Sequence, residues 1–267
     1  MKIVFVFICL SLTIATASAS LSARQIMEKH EDARKFTDQS ASAQLTTKTS
    51  DGGSKQKEFR WWRKLQGNKT HFSTLTRFQK PAEVKNEAIL FLENTGAKND
   101  IFLYLPSFKK IRRVESQQQS GSFMNSDLSY SDMATPHVDD YNYKLLKNEK
   151  CPTSEAKNVD CFVVEALPIN DDVRARTGYS KSKMWVRTDN FMIVRAEYDD
   201  TLGKPYKKLT AEKIEKVDVK NGKWMALSIF MENLQAKSST AILFSQVKCN
   251  SGIQDSIFTQ QNLMKEK

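Results

Sequence analysis

Two Ser-Asp pairs, Ser126-Asp127 and Ser131-Asp132, come closest in this sequence to the residue types of a nucleophilic site. A serine attacks only when a general base takes its proton, and the one histidine nearby in sequence is His137. The chain has no G-x-S-x-G elbow, no phosphate-binding loop and no G-x-G-x-x-G fingerprint. Because Ser and Asp side chains commonly bond their own backbone in caps and turns, we expect no enzyme and no cofactor.

The cysteines have the spacing of a disulfide and not of a metal site. Cys151 and Cys161 flank a polar turn, so in an exported chain they predict a bridge between neighbouring strands. Cys249 is then expected to stay free as a small buried side chain. No C-x-x-C or H-x-x-x-H spacing is present, and we predict no metal site.

The first residues have the pattern of a secretory signal peptide. Lys2 precedes an apolar run too short to span a bilayer, and small residues follow up to Ala19. We therefore expect residues 1–19 to be a signal peptide cleaved near Ala19, residues 20–267 to form one soluble domain, and the periplasm to be its compartment.

Positive charge exceeds negative charge, with a formal net charge of +10. Acidic residues are interleaved with the lysines, which is typical of a solvated surface. The densest basic run is Lys109-Lys110-Ile111-Arg112-Arg113, and it lacks the aromatic frame of an RNA-binding motif. We expect no nucleic acid partner, and transient contact with anionic lipid head groups.

Alternating apolar residues predict a mainly β fold. Ser22 is a candidate cap for an N-terminal helix over residues 23–36, and residues 253–263 have the spacing of a short C-terminal helix. Between them we expect about 11 antiparallel strands in a single curved sheet that forms an unclosed β-barrel. We predict no regular secondary structure for residues 168–178. Residues 115–133, called the lid below, lack regular periodicity but contain large apolar side chains.

The inner face of such a sheet is either filled by its own side chains or hollow, and flexible methionines among the inner positions favour a hollow that accepts lipid. The lid would close it. The candidate ligand-binding residues are Phe59, Trp61, Phe91, Leu103, Tyr104, Phe123, Met124, Met184, Met192 and Phe230.

Three segments resemble a known family. FLYLPSFKKIRRV, GSFMNSDLSYSDM and SIFTQQNL are similar to segments of the LolA-like outer-membrane lipoprotein-sorting proteins, in the branch associated with RND-type transporters. The resemblance implies a monomeric periplasmic carrier whose cavity binds acyl chains of a lipoprotein or another lipid and shuttles them toward the outer membrane. It also implies a gating arginine under the lid, for which Arg112 or Arg113 is the nearest candidate.

Two other functions remain open at this point. The first is an accessory subunit that docks on an inner-membrane RND-type transporter without carrying lipid, which would have a filled interior and a large exposed apolar patch. The second is a lipid-modifying enzyme, in which Ser126, Asp127 or Asp132 would have to meet a base inside the cavity.

Overall fold

One antiparallel sheet forms most of the molecule. The computed structural model describes residues 20–67, 70–94, 99–134 and 136–265, so the expected signal peptide at residues 1–19 lies outside the described residues. The thirteen strands are β1 (Asp38–Lys48), β2 (Ser54–Leu65), β3 (Phe72–Lys80), β4 (Ala88–Leu92), β5 (Asp100–Leu105), β6 (Lys110–Val114), β7 (Tyr141–Lys150), β8 (Asp160–Pro168), β9 (Tyr179–Arg187), β10 (Ile193–Asp200), β11 (Pro205–Asp218), β12 (Lys223–Asn233) and β13 (Ser238–Cys249).

The sheet consists of two meanders that meet at its centre. Strands follow the order β6-β5-β4-β3-β2-β1-β13-β12-β11-β10-β9-β8-β7, so β1 pairs with β13 and the edge strands are β6 and β7. The predicted mainly β, unclosed sheet is confirmed. The expected count of about eleven strands was too low, since the described residues form thirteen.

In the part of the chain that the structure describes, four α-helices accompany the sheet: α1 (Ala23–Ala33), α2 (Tyr130–Met133), α3 (Asp171–Thr177) and α4 (Gln260–Leu263). The expectation of an irregular segment over residues 168–178 was wrong. The Asn170 side chain accepts a hydrogen bond from the Val173 amide and starts α3, and Gly178, with φ of 79°, ends it. Glycine adopts this left-handed conformation without the steric cost of a Cβ atom.

Helix α1 begins as predicted. The Ser22 side chain accepts from the Gln25 amide and the Gln25 side chain accepts from the Ser22 amide, which forms a capping box. Its apolar stripe, with Ile26 and Met27, packs on Val164 and Met184 of the sheet. The helix thus covers one end of the inner face.

The outer face is covered in two separate places. At β3, β4 and β5, Leu75, Leu90 and Tyr104 pack under Phe258 and Leu263 of the C-terminal segment. At β8 to β10, the turn between β7 and β8 covers Trp185 and Val194. The inner face is covered by the lid and α1. Among the described residues, no helix has the length and apolar character needed to cross a membrane.

Candidate functional site

A cavity of about 320 Å³ lies between the inner face of the sheet, the lid and α1. Strands from both meanders contribute to it, since its wall includes Trp61 of β2 and Met184 of β9. This volume falls within the range of small-molecule pockets, about 300–1,000 Å³. Its larger apolar wall residues are Met27, Phe36, Trp61, Leu128, Met133, Val138, Tyr141, Tyr143, Met184, Met192, Ile193, Tyr198, Leu209, Trp224, Met225, Ile229, Ile242 and Phe244.

Three of the predicted ligand-binding residues, Trp61, Met184 and Met192, line this cavity. We call the region around it the hollow part of the inner face. The sequence analysis missed other wall residues, among them Tyr198 and Leu209. Strand alternation was the available signal for Leu209, because Lys207, Leu209 and Ala211 share one side of β11 and all three are at least half-buried.

A second region of the inner face is filled. Phe123 of the lid is completely buried and lies 6.1 Å from Phe78 between ring centroids, with Phe59 a further 5.3 Å from Phe78. Phe91 belongs to the same cluster, and Leu103 and Met124 pack against it. We call this cluster the packed part. The predicted residues Phe59, Phe91, Leu103, Phe123 and Met124 therefore lie outside the cavity wall.

Tyr104 and Phe230 lie on the outer face. Phe230 is 41% exposed, whereas its neighbour Met231 is completely buried inside. Successive side chains of a strand point to opposite faces, so the prediction that Phe230 binds ligand on the inner face was wrong. The same alternation places Leu103 inside and Tyr104 outside, where Tyr104 joins the cluster under the C-terminal segment.

The lid is anchored to both meanders by polar contacts. The Asp127 carboxylate accepts from the Thr240 hydroxyl at 2.8 Å and from the Ser238 hydroxyl, both on β13. Lys57 of β2 donates to the Met124 carbonyl at 2.9 Å. These buried or half-buried bonds hold the lid against the centre of the sheet.

Asp132 provides the anchor nearest to the cavity. The Tyr179 hydroxyl donates to its carboxylate at 2.8 Å, and the Lys207 ammonium lies 3.4 Å from the same carboxylate. Lys207 also lies 3.2 Å from the Tyr179 hydroxyl oxygen, to which it donates. Burial, followed by the charge of Asp132, raises the pKa of Tyr179 well above its usual range, so this hydroxyl stays protonated.

The Ser-Asp pairs act as local structure. Ser126 donates to the Phe123 carbonyl at 2.6 Å, and Ser129 with Asp132 forms the capping box of α2. His137 lies 3.2 Å from the Asn99 side chain, and within the described chain it has no hydrogen bond to Ser126 or Ser131. The arrangement that a lipid-modifying enzyme would need is therefore not assembled among these residues. No group of three metal-binding side chains occurs in the described residues either.

Arg112 and Arg113 lie on the exposed edge strand β6. Arg112 donates to Gln118 at 3.2 Å, and Arg113 pairs with Asp100. The arginines that reach the cavity wall are instead Arg34 and Arg63, which the sequence analysis missed. Burial lowers the pKa of Arg63 to about 10, so it remains charged at neutral pH. No motif marks either residue, because their burial depends on contacts distant in sequence.

His30 of α1 also lines the cavity, and it is neutral. Burial lowers its pKa to about 3, and the nearby charge of Arg34 acts in the same direction. Its Nδ1 lies 2.8 Å from the Phe191 carbonyl, which can only accept, so Nδ1 carries the proton.

The predicted Cys151–Cys161 disulfide is confirmed. It closes the turn that covers the outer face of β8 to β10. Cys249 is free and half-buried, and burial raises the pKa of its thiol, which keeps it protonated.

A family model described as "Uncharacterized protein" matches residues 71–265. Similar solved structures include a DUF1329 family protein from Desulfovibrio piger, with 26% identity, a TM-score of 0.83, and coverage of 90% of this chain and 97% of that one. No curated protein sequence matches the chain.

Two further solved structures are similar at lower identity. A protein from Vibrio parahaemolyticus described as a putative outer membrane lipoprotein-sorting protein domain has 24% identity and a TM-score of 0.82, covering 91% of this chain and 98% of that one. A LolA superfamily protein from Nitrosomonas europaea has 22% identity and a TM-score of 0.70, covering 91% of this chain and 100% of that one. At these identities the similarity establishes a shared fold, and the resemblance seen in the sequence is confirmed at that level.

Proposed function

Because the chain belongs to the family whose model matches residues 71–265 and has the fold of the LolA superfamily, we propose that it is a lipid carrier. In this proposal it binds an acyl chain of a lipoprotein or another lipid and takes it through the periplasm toward the outer membrane. The observation that carries the proposal is the apolar cavity of about 320 Å³ under the lid and α1.

The physical role of the cavity is to replace the membrane interior. Moving an acyl chain out of water is worth roughly 0.8 kcal/mol per CH₂ group, so a free chain leaves a bilayer slowly. A cavity wall of methionine, leucine and aromatic side chains gives the chain an equivalent apolar environment. Flexible methionines such as Met184, Met192 and Met225 adapt to chains of different shape.

Exchange of cargo requires movement of the lid. The end of the lid nearest the cavity is held by Asp132, through Tyr179 and Lys207. Separating these groups would leave a carboxylate and an ammonium buried without a partner, which is costly unless both become hydrated as the lid opens. We therefore propose that the lid opens at Asp132 while Phe123 remains in the packed part.

The proposed donor and acceptor are membranes or membrane proteins. Phe108, at the turn between β5 and β6, is 68% exposed and is followed by Lys109 and Lys110. An exposed aromatic ring beside lysines suits transient contact with an anionic membrane surface. An RND-type transporter is a proposed donor, and the signal peptide at residues 1–19 provides the proposed route of export. The cavity supports a monomeric carrier over an accessory subunit without cargo, because that alternative expects a filled interior.

The test is to identify lipid bound to protein purified from its own periplasm. We expect native mass spectrometry to detect an acyl lipid that organic extraction removes. Ala211→Phe places a ring in the cavity, where Ala211 forms part of the wall, and should abolish most of the bound lipid. Thr210→Phe is the matched control, because Thr210 pairs with outward-facing Phe230 on the opposite side of the sheet.

Two results would contradict the carrier proposal. One is lipid-free wild-type protein that also fails to bind added acyl lipid. The other is an Ala211→Phe variant that is folded by circular dichroism yet retains as much lipid as the Thr210→Phe control.

A further inference from the structure

The wall of the cavity is not uniformly apolar. Arg34, directly after α1, and Arg63 of β2 both contribute to it. The two side chains are close enough for the charge of Arg34 to be one of the causes that lower the pKa of Arg63. The cavity therefore has two neighbouring cationic groups in a wall that is otherwise mostly hydrophobic.

Among the described residues, none provides Arg34 with a counter-charge in direct contact. Within the described part of the chain, its guanidinium makes no hydrogen bond or ion pair, and its Nε atom is completely buried without a partner. Carboxylates of Glu31 and Glu93 act on it only through space, as causes that raise its pKa. The Arg34 side chain as a whole is only partly buried, and burial, the first of the causes that act on its pKa, lowers it.

The nearby charged and titratable groups do not fill this role. Glu93 accepts a hydrogen bond from the Phe72 amide at 2.7 Å, lies 4.0 Å from the Arg63 guanidinium and is absent from the cavity wall. His30 is neutral because its pKa is about 3. Glu31 is a wall residue, but it forms no ion pair with Arg34 in the described chain.

We infer that Arg34, with Arg63 beside it, binds the anionic oxygen group of an acyl lipid, a carboxylate or a phosphate, whose chain fills the apolar remainder of the cavity. A guanidinium presents paired N–H donors that match either anion. A partly buried charge without a counter-ion is destabilising, and a bound anion removes part of that cost. The inference rests on the proposed carrier function, and it specifies the class of lipid. The acyl chains of a lipoprotein are attached to the protein terminus only through amide, ester or thioether bonds, and they carry no such anion.

The experiment measures affinity for matched single-chain lipids after delipidation of the full mature protein. Palmitate supplies a carboxylate, lysophosphatidic acid supplies a phosphate, and monopalmitoylglycerol is uncharged. Trp61 and Trp224 belong to the cavity wall, so tryptophan fluorescence reports occupancy. We expect at least one anionic lipid to bind about tenfold tighter than monopalmitoylglycerol, a difference typical of one charge-assisted hydrogen-bonded pair.

Variants assign that preference to Arg34. Arg34→Gln should remove the preference, so that the anionic lipid binds no more tightly than monopalmitoylglycerol, and Arg34→Lys should retain part of it. Arg60→Gln is the control, because Arg60 is exposed on β2, where it stacks over Trp62. This substitution removes the same unit of charge as Arg34→Gln. Circular dichroism verifies that each variant is folded.

The outcomes separate the two proposals. Equal binding of charged and uncharged lipids by wild-type protein, or an unchanged preference in Arg34→Gln, would overturn the anion site and leave the carrier intact. Failure of all three lipids to bind would overturn the carrier proposal itself. A preference for palmitate or for lysophosphatidic acid supports the inference and identifies the anion.

Discussion

The packed part and the hollow part share one inner face, yet only one of them is filled. In the packed part, Phe123 of the lid packs against the ring of Phe78 on β3 and is completely buried. In the hollow part, α1 contributes Ile26 and Met27 along one side, and a space of about 320 Å³ remains. A covering segment fills a curved sheet only where it inserts a side chain as large as the gap.

The strands themselves differ between the two parts. The packed part has phenylalanine at Phe59, Phe78 and Phe91, whereas Ala166 and Ala211 occupy wall positions of the hollow part. Small residues on an inner face leave volume that neighbouring side chains do not reach, and close packing is the norm elsewhere in protein interiors. The contrast suggests that stability depends mainly on the packed part and binding on the hollow part.

The largest expected effect is from Phe123→Ala, which should lower the free energy of unfolding by about 3–5 kcal/mol, because a fully packed ring is replaced by a cavity. Phe244→Ala is the matched control, since Phe244 is half-buried and already borders the hollow. It should cost about 1–2 kcal/mol, mainly from lost apolar burial. Urea denaturation measures both. Equal losses would remove the distinction between the two parts.

Removal of the disulfide tests how the hollow part is supported from outside. The bridge joins residues separated by 10 positions in sequence, and loop-closure entropy gives it a value of about 2–3 kcal/mol. We expect Cys151→Ser with Cys161→Ser to lower the unfolding free energy by this amount. Cys249→Ser, at the free cysteine, should change it by less than about 1 kcal/mol. A double variant as stable as the wild type would show that the turn contributes nothing to β8 and β9.

The smallest effect comes from pH, and it concerns His30 in the hollow part. The pKa of His30 is lowered to about 3, so below pH 6.5 the unfolded chain takes up a proton that the folded chain excludes. Stability should therefore fall as pH drops, by about 2 kcal/mol between pH 6.5 and pH 5 from this residue. His30→Asn can still donate to the Phe191 carbonyl and should flatten the dependence in that range. An identical pH profile for both proteins would exclude this role.

Much of the fold follows from local pattern. The capping box at Ser22, the tight turns and the apolar alternation predict α1 and every strand of the sheet. The Cys151–Cys161 bridge follows from the spacing of the two cysteines around a polar turn. Helix α3 was missed although Asn170 and Gly178 mark its ends, because the short segment between them has no clear apolar stripe.

The site was only partly predictable, since a cavity depends on the sum of side-chain volumes from strands far apart in sequence. Trp61, Met184 and Met192 were assigned to it from their type, but Phe91 and Phe123 have the same apolar character and fill the packed part instead. Arg34 and Arg63 lie in sequence among other charged residues. Only the three-dimensional arrangement shows that they face a hollow.

The pairing of β1 with β13 joins residues about two hundred positions apart, at the middle of the sheet. Each meander can assemble from consecutive hairpins, but the seam between them cannot close until the last strand has emerged. Such a high contact order slows folding and keeps a nascent chain open. An unfinished chain is therefore unable to bury its central strands prematurely, which suits the export across a membrane that we propose for this chain.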